Sequence, residues 1–558
     1  MILQKGIKKN TSHKKEFLGA HPIIQFFIEK LRIKEIISSC IVQDLRLSVP
    51  IENSLCVLIH NILTSPSPMY ELSDWLSPLD SESLGLPEKH GDLINDYRMG
   101  NALDSFYNGK NKDVFFRLSL RAIKQFELSC DGIHQDTTSI TMSGKYEDWS
   151  AKEVLTYGHN KDHRPDLKQV VLGMSVTSDG SIPLVHKVYN GNQTDDTLHV
   201  ENYENLMKLL KNTDFIYTAD SKLATETNLA KISSYEGRFI SILPATWKEV
   251  SEFKKTVREK DVKWKLLLTR KNNRKPNSVI DRYQIARGEF KTSQGYCILW
   301  IKSSEKKIND EKTRERNILK CLEELTELQL KINKRNLKTK ENINKTVSAI
   351  LKKRNCLKII SIEINSKRKY KKNYSGKGRP KTIKESTLTW TNMHSISFQE
   401  NLEEIKIAKR YDGVFPLVTN IVDDMTPKQI LEKYKYQPFL EKRHSQLKTW
   451  QCLTPVLFKK DIRVIAYIHM SVMALMVSSL IERSLRIAMH KNNITDLPMY
   501  PDDKKCEYPT LYGIVRLFRN VERYEINISG EKIYFPAKIN KIQKKVLSLL
   551  EIPDSSYQ

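Results

Sequence analysis

Residues 132–142 read GIHQDTTSITM, a run rich in β-branched residues, and similar runs follow in VVLGMSVT (170–177) and IPLVHKVYN (182–190). Short segments of this composition read as strands, here separated by a loop around 162–166 and by the turn-forming SDGS (178–181). DTLHVENYENLMKLL (196–210) then carries apolar residues at helical spacing, and FIYTAD (215–220) closes with one more strand. Three strands, a helix and a fourth strand predict an α/β core over 126–235. Asp136 lies within the first strand and Asp220 closes the last, a usual place for site residues in open sheets. Asp131 is a rival for Asp136, but their odd separation puts them on opposite faces of a regular strand.

Working outward, YKYQPFLEKRHSQLK (434–448) carries Tyr434, Gln437, Glu441 and Lys448. At about 100° per residue these fall within roughly 60° of one another on a helix, so a single stripe would present a phenol, an amide, a carboxylate and an ammonium. Pro438 lacks the N–H that bonds back to residue 434, which predicts a kink that turns Tyr434 and Gln437 off the stripe while sparing Glu441 and Lys448. Asp136, Asp220 and Glu441, far apart in the chain, are the candidate ligands of one divalent-metal site.

These motifs together resemble the DDE transposases of bacterial insertion sequences, in the branch with a tyrosine, arginine, glutamate, lysine helix signature. HQDTTS (134–139) looks like the first-aspartate motif, residues 157–184 like the segment after it, and YTADSKLATETNL (217–229) like the second-aspartate motif. LGAHPIIQFFIEKLRIKEII (18–37) matches as well, so the resemblance covers most of the chain. Gln437 departs from it, standing where arginine is usual. The resemblance implies a ribonuclease H-like mixed-sheet catalytic core with a helical N-terminal region and a β-rich plus helical insertion. It implies catalysis and metal binding by Asp136, Asp220 and Glu441 with two Mg²⁺ ions, Mn²⁺ substituting. Phosphate contacts would come from Tyr434, Gln437 and Lys448, and DNA contacts also from Arg164 and Lys168, although Arg164 is equally placed to pair with Asp166. The expected partners are inverted-repeat ends and target duplex DNA, with a homodimer or larger assembly bringing two ends together. A ribonuclease H-like nuclease that does not join strands, and an inactive DNA-binding descendant, are the alternatives.

Residues 1–125 read as helical and suit either a reader of terminal DNA sequences or a structural cap. Far more residues separate Asp220 from Glu441 than a crossover needs, so 236–405 is expected to be an insertion, strand-rich at first and then charged and helical over 306–358. That charged stretch offers no regular heptad and reads first as solvated helix faces, with an arm toward DNA or a second subunit as the alternative. GKGRP (376–380) resembles the centre of a minor-groove hook but reads more simply as a turn. Residues 410–420 look like the last core strand. The second part of the core is set at 406–490 and a C-terminal region at 491–558.

Lys and Arg number 92 against 66 acids among 558 residues, a formal net charge of +26 that suits a polyanionic partner. The eight cysteines are scattered without a CxxC pair, against a zinc ribbon or a secreted disulfide framework. His159 and His163 have helical ligand spacing, yet Asn160, Asp162 and Pro165 favour a loop, and zinc is not expected there. The first residues lack the apolar stretch of a signal peptide, so a cytoplasmic bacterial protein is expected. VIAYIHMSVMALMVSSLI (464–481) reaches the lower length for a membrane span, but its polar positions favour a buried core helix. Trp247, Trp264, Trp300 and Trp390 fall in the insertion and are assigned to packing, stacking on a displaced base being the alternative.

Overall fold

The computed structural model describes residues 11–42, 47–87, 93–109, 111–142, 154–158, 164–271, 280–374, 386–451, 458, 460–500, 504–528 and 531–558. Its strands, in chain order, are β1 (Thr11–Phe17), β2 (Gly132–Thr141), β3 (Thr156–Tyr157), β4 (Lys168–Thr177), β5 (Pro183–Asn190), β6 (Ile216–Thr218), β7 (Arg238–Ile242), β8 (Trp264–Lys271), β9 (Ile280–Ala286), β10 (Cys297–Ser303), β11 (Ile360–Tyr374), β12 (Ser386–Glu400), β13 (Val414–Thr419), β14 (Glu522–Ile528) and β15 (Glu531–Phe535). The chain forms two compact units, one of Met1–Ser241 with Gln429–Gln558 and the other of Ile242–Lys428.

In the first unit a mixed sheet runs β3-β4-β2-β6-β7, with β5 also on β4. β2 pairs antiparallel with β4 and parallel with β6, which pairs parallel with β7. The order read from the sequence is present, with the two-residue β3 added and the helix His199–Leu210 between β5 and β6. The turn between β4 and β5 places Gly180 at φ +87°, a conformation that glycine adopts without steric cost.

A 31-residue helix, Asp461–Lys491, runs through this unit's core. It is long and apolar enough to cross a membrane, but its apolar window is entirely buried inside the unit. A helix that is apolar all round must be enclosed, and helices His21–Lys30, Ile51–Thr64, Asp96–Asn108 and Asn111–Phe126 pack on it. Its serines are tolerated because Ser471 and Ser479 donate to the carbonyls of Tyr467 and Leu475, one turn back.

The N-terminal region is not purely helical. β1 pairs with β14, and β14 with β15, in a separate three-stranded sheet. There the buried Arg523 guanidinium bonds both Glu16 and Asp80 at 2.9 Å, so its charge is doubly compensated.

The second unit spans Ile242–Lys428, and within it β13 pairs antiparallel with β10. Its sheet is β13-β10-β9-β8, all antiparallel. Trp300 is core, stacked face to face on Phe253 at 3.8 Å. Asp281 accepts from the Ser303 and Ser304 hydroxyls and from the Glu305 N–H at about 3 Å, holding the start of helix Ser304–Lys331. That helix buries Ile318, Cys321, Leu325, Leu328 and, just past its end, Ile332 against Ile343, Val347 and Leu351 of helix Lys340–Lys353. Spacings of three, four, three and four form a short seam of about two heptads, which corrects the expectation of none; the charged residues between these positions masked it. The GKGRP segment, His159 and His163 lie outside the described residues.

Candidate active site

The parallel register of β2 and β6 pairs Ile133 with Tyr217 and His134 with Thr218. Carried on by two residues, it sets Asp136, midway along β2, beside Asp220, just past the carboxyl end of β6, on neighbouring strands spaced about 4.8 Å apart. β6 stops here because Asp220 turns the chain. Its Oδ1 accepts the Lys222 N–H at 2.9 Å and its carbonyl accepts the Leu223 N–H at 3.2 Å. Asp136 accepts its neighbour Thr137's N–H at 2.8 Å. Asp131 is exposed and bonded to Ser129, outside this grouping.

The third acid arrives on a broken helix. A single stripe over 434–448 does not form: one helix, Pro427–Tyr434, ends at the tyrosine, a second spans Gln437–Ser445, and a π-turn occupies Gln446–Trp450. Pro438 sits in the first turn of the second helix, where its missing N–H costs least, so the chain restarts there instead of bending. Lys448 therefore stands half-buried in the π-turn, and Glu441 projects exposed from the middle helix.

Gln437 is buried. Its Oε1 lies 3.0 Å from His134 Nδ1, and its Nε2 donates to the Gln135 carbonyl at 3.0 Å, so the amide is committed to β2. An arginine there would bring a charge into this enclosed position. Burial pushes His134 down to about 4, partly offset by that bond. Arg443 anchors the same helix from its other side. Its guanidinium bonds Glu482 at 2.8 Å, the Gln446 side chain at 2.8 Å and the carbonyls of Gly180 and Ser181.

Burial, and then the charges of Asp220, Glu441 and Asp136, push the Tyr434 hydroxyl well above its ordinary value of 10. One phenol thus feels all three acids and stays a protonated donor at neutral pH. Two histidines that sequence reasoning passed over stand in the same place. His134 shares a β2 face with Asp136, and the largely buried His444 brings Nε2 to 3.8 Å from Asp136 Oδ2. The signals were spacings of two on a strand and of three past Glu441 on a helix. The other residues expected to meet DNA lie elsewhere: Arg164 is exposed and in a two-pronged ion pair with Asp166, and Lys168 opens β4 near the Tyr157 ring.

Three hard carboxylate donors suit Mg²⁺ or Mn²⁺. As they stand they are not a closed cage: among the described residues no group of three His, Cys, Asp or Glu is close enough together to hold a metal ion.

A family model described as a domain of unknown function (DUF4277) matches residues 13–120, well short of half the chain. A comparison with curated proteins finds no match. Among solved structures, a cryo-EM structure of the piggyBac transposase synaptic complex with hairpin DNA is similar, with 8% sequence identity, a TM-score of 0.40, and coverage of 88% of this chain and 79% of that one. A likeness at that TM-score carries no argument about fold or activity.

Proposed function

We propose that this chain is a DNA transposase of the DDE type, encoded by an insertion sequence and built on a ribonuclease H-like core. It would cut at the inverted ends of its element and join the freed 3′-hydroxyls to target DNA, working as a dimer or larger assembly. One observation carries the reading: β2 and β6 run parallel as neighbours, carrying Asp136 and leading into Asp220, and His444, three residues past Glu441, brings the glutamate helix to within 3.8 Å of Asp136.

Asp136, Asp220 and Glu441 would hold the metal, Glu441 drawing in from its exposed position. Two bound Mg²⁺ ions would activate the attacking oxygen and stabilise the leaving one during in-line displacement. Tyr434, protonated, is a donor for a phosphate oxygen near the cut, and Lys448 supplies a point charge for the backbone. Gln437 supports the site from beneath by tying the glutamate helix to β2. The net charge of +26 suits a duplex that must be held along its backbone.

The test is cleavage of duplex carrying the DNA that flanks the coding region, with Mg²⁺, comparing the intact protein with Asp220→Ala. Loss of cutting by about 10³-fold is expected, the order seen when one preorganised electrostatic group is removed from an active site. Equal cutting by both proteins removes Asp220 from the mechanism. Labelled 3′-hydroxyl ends that are cut but never joined would make the protein a nuclease instead.

A further inference from the structure

Strands β11 and β12 pair in register over their full fifteen residues each, from Ile360 with Glu400 to Tyr374 with Ser386. The base of this ribbon belongs to the core of its unit, where Ile360 and Ile396 are buried against the two charged helices. Asn333 pins it at His394, exchanging 2.8 Å bonds with that residue's N–H and carbonyl. Beyond the pin the ribbon leaves the core. Every side chain from Lys367 to Tyr370 and from Leu388 to Met393 is exposed, the longer of the two spans covering about 20 Å at 3.4 Å per residue.

A free ribbon of this kind invites edge pairing and aggregation unless charge prevents it. Here Lys367, Arg368, Lys369, Lys371 and Lys372 crowd one strand, and no Asp or Glu occurs in 365–374 or 386–399. Charge alone does not explain the rest of the surface. Tyr370 and Trp390 are opposite each other and more than 60% exposed, with rings in edge contact at 5.6 Å. Arg368 and Asn392 are the next pair on that same face. Arginine and asparagine are the side chains that grip guanine and adenine edges two-pronged in the major groove, and a two-stranded ribbon is narrow enough to enter it. The opposite face carries Lys367 and Lys369, whose long stems can reach phosphates on the groove's flanks.

We propose that the outer half of the β11–β12 ribbon is a docking arm that lies in the major groove of duplex DNA, with Arg368 and Asn392 toward base edges and Lys367 and Lys369 toward phosphates. The inference rests on the reading of this protein as one that acts on DNA, but it concerns a surface apart from the three acids. It assigns work to residues that the cleavage chemistry does not use.

The experiment measures binding of the full chain to a fluorescent duplex by anisotropy at about 50 and about 200 mM salt, for the intact protein and for the triple variant Lys367→Gln, Arg368→Gln, Lys369→Gln. The two lost phosphate contacts of Lys367 and Lys369, at about 0.9 each, would flatten the salt dependence, so that over this window the intact protein loses about 12-fold more affinity than the variant. Asn392→Ala would weaken the preference among duplex sequences and leave the salt slope unchanged. An unchanged slope in the triple variant overturns the arm. So does a single-stranded probe that binds the intact protein more tightly than duplex and loses that advantage in Trp390→Ala, since the aromatic pair would then be a stacking platform. If the slope falls as expected while the intact protein cuts no DNA, the arm stands and the transposase reading falls; if cutting is Asp220-dependent and the slope does not move, the reverse holds.

Discussion

Replacing Glu482 by alanine tests what fixes the glutamate helix. Glu482 is 4% exposed and faces Arg443, 8% exposed, at 2.8 Å; its other oxygen accepts the Leu511 N–H at 3.0 Å. Removing one partner of a buried ion pair leaves an uncompensated charge, which costs about 3–5 kcal/mol. The stranded Leu511 N–H adds about 1–3 kcal/mol. Arg443 keeps its carbonyl and Gln446 partners, so the lower end of that sum, about 4 kcal/mol, is expected. Against a total stability of about 5–15 kcal/mol this is a large share. Urea unfolding followed by circular dichroism reads it as a lowered midpoint of the unit that holds the site. Replacing both partners by methionine removes the Arg443 charge but still strands Arg486, 3.4 Å from the same carboxylate, so only part of the loss should return, while cleavage stays impaired because the helix carrying Glu441 has lost its anchor. A Glu482→Ala protein within about 1 kcal/mol of the parent would refute the reasoning, because the pair would then hold nothing.

Pro438→Ala should change the urea midpoint by less than about 1 kcal/mol, since a first-turn proline gives up no helical bond; a large loss would mean the break depends on the ring. Asp281→Ala should cost about 2–3 kcal/mol in the inserted unit alone by orphaning the Ser303, Ser304 and Glu305 donors, visible as an earlier first transition on heating. His21 is pushed down to about 3 by burial and His60 well below its ordinary value, their Nδ1 atoms 3.2 Å apart and His60 Nε2 beside Gln25. Because the fold keeps His21 neutral and the unfolded chain does not, stability is full above about pH 6.5 and declines as pH falls toward 3. Midpoints from pH 7 down to 4 should show this decline and flatten in His21→Asn; parallel curves for the two proteins would exclude the pair as its source.

Much of the fold was legible because its signals are local. The strand runs at 132–142, 170–177 and 182–190 are rich in β-branched residues and are followed by turn residues, and the apolar character of 464–481 demanded enclosure whatever surrounded it. The acids were legible only as a set, each being an ordinary strand-end or helix residue alone. What stayed hidden depends on partners remote in sequence. Gln437 looked like a ligand-facing residue by spacing, but the register of β2 beneath it spends its amide on Gln135 and His134. Arg443 gave no signal and His444 only its spacing of three past Glu441, because Glu482 and Asp136, which define their roles, lie 39 and 308 residues away. β1 was read as helix because a seven-residue polar strand means little until β14 supplies its edge more than 500 residues later.

The long insertion also sets a timetable. Between the appearance of Asp220 and that of Glu441 a ribosome must add 221 residues, which at about 5–20 residues per second takes about 10–45 s. Throughout that interval the nascent sheet lacks Gln437, Arg443 and the buried helix that enclose it, and β2 waits with one side uncovered. Conditions that slow elongation should therefore lengthen a window in which this chain needs a chaperone, and synonymous codons within 242–428 should alter the soluble yield without altering the finished molecule.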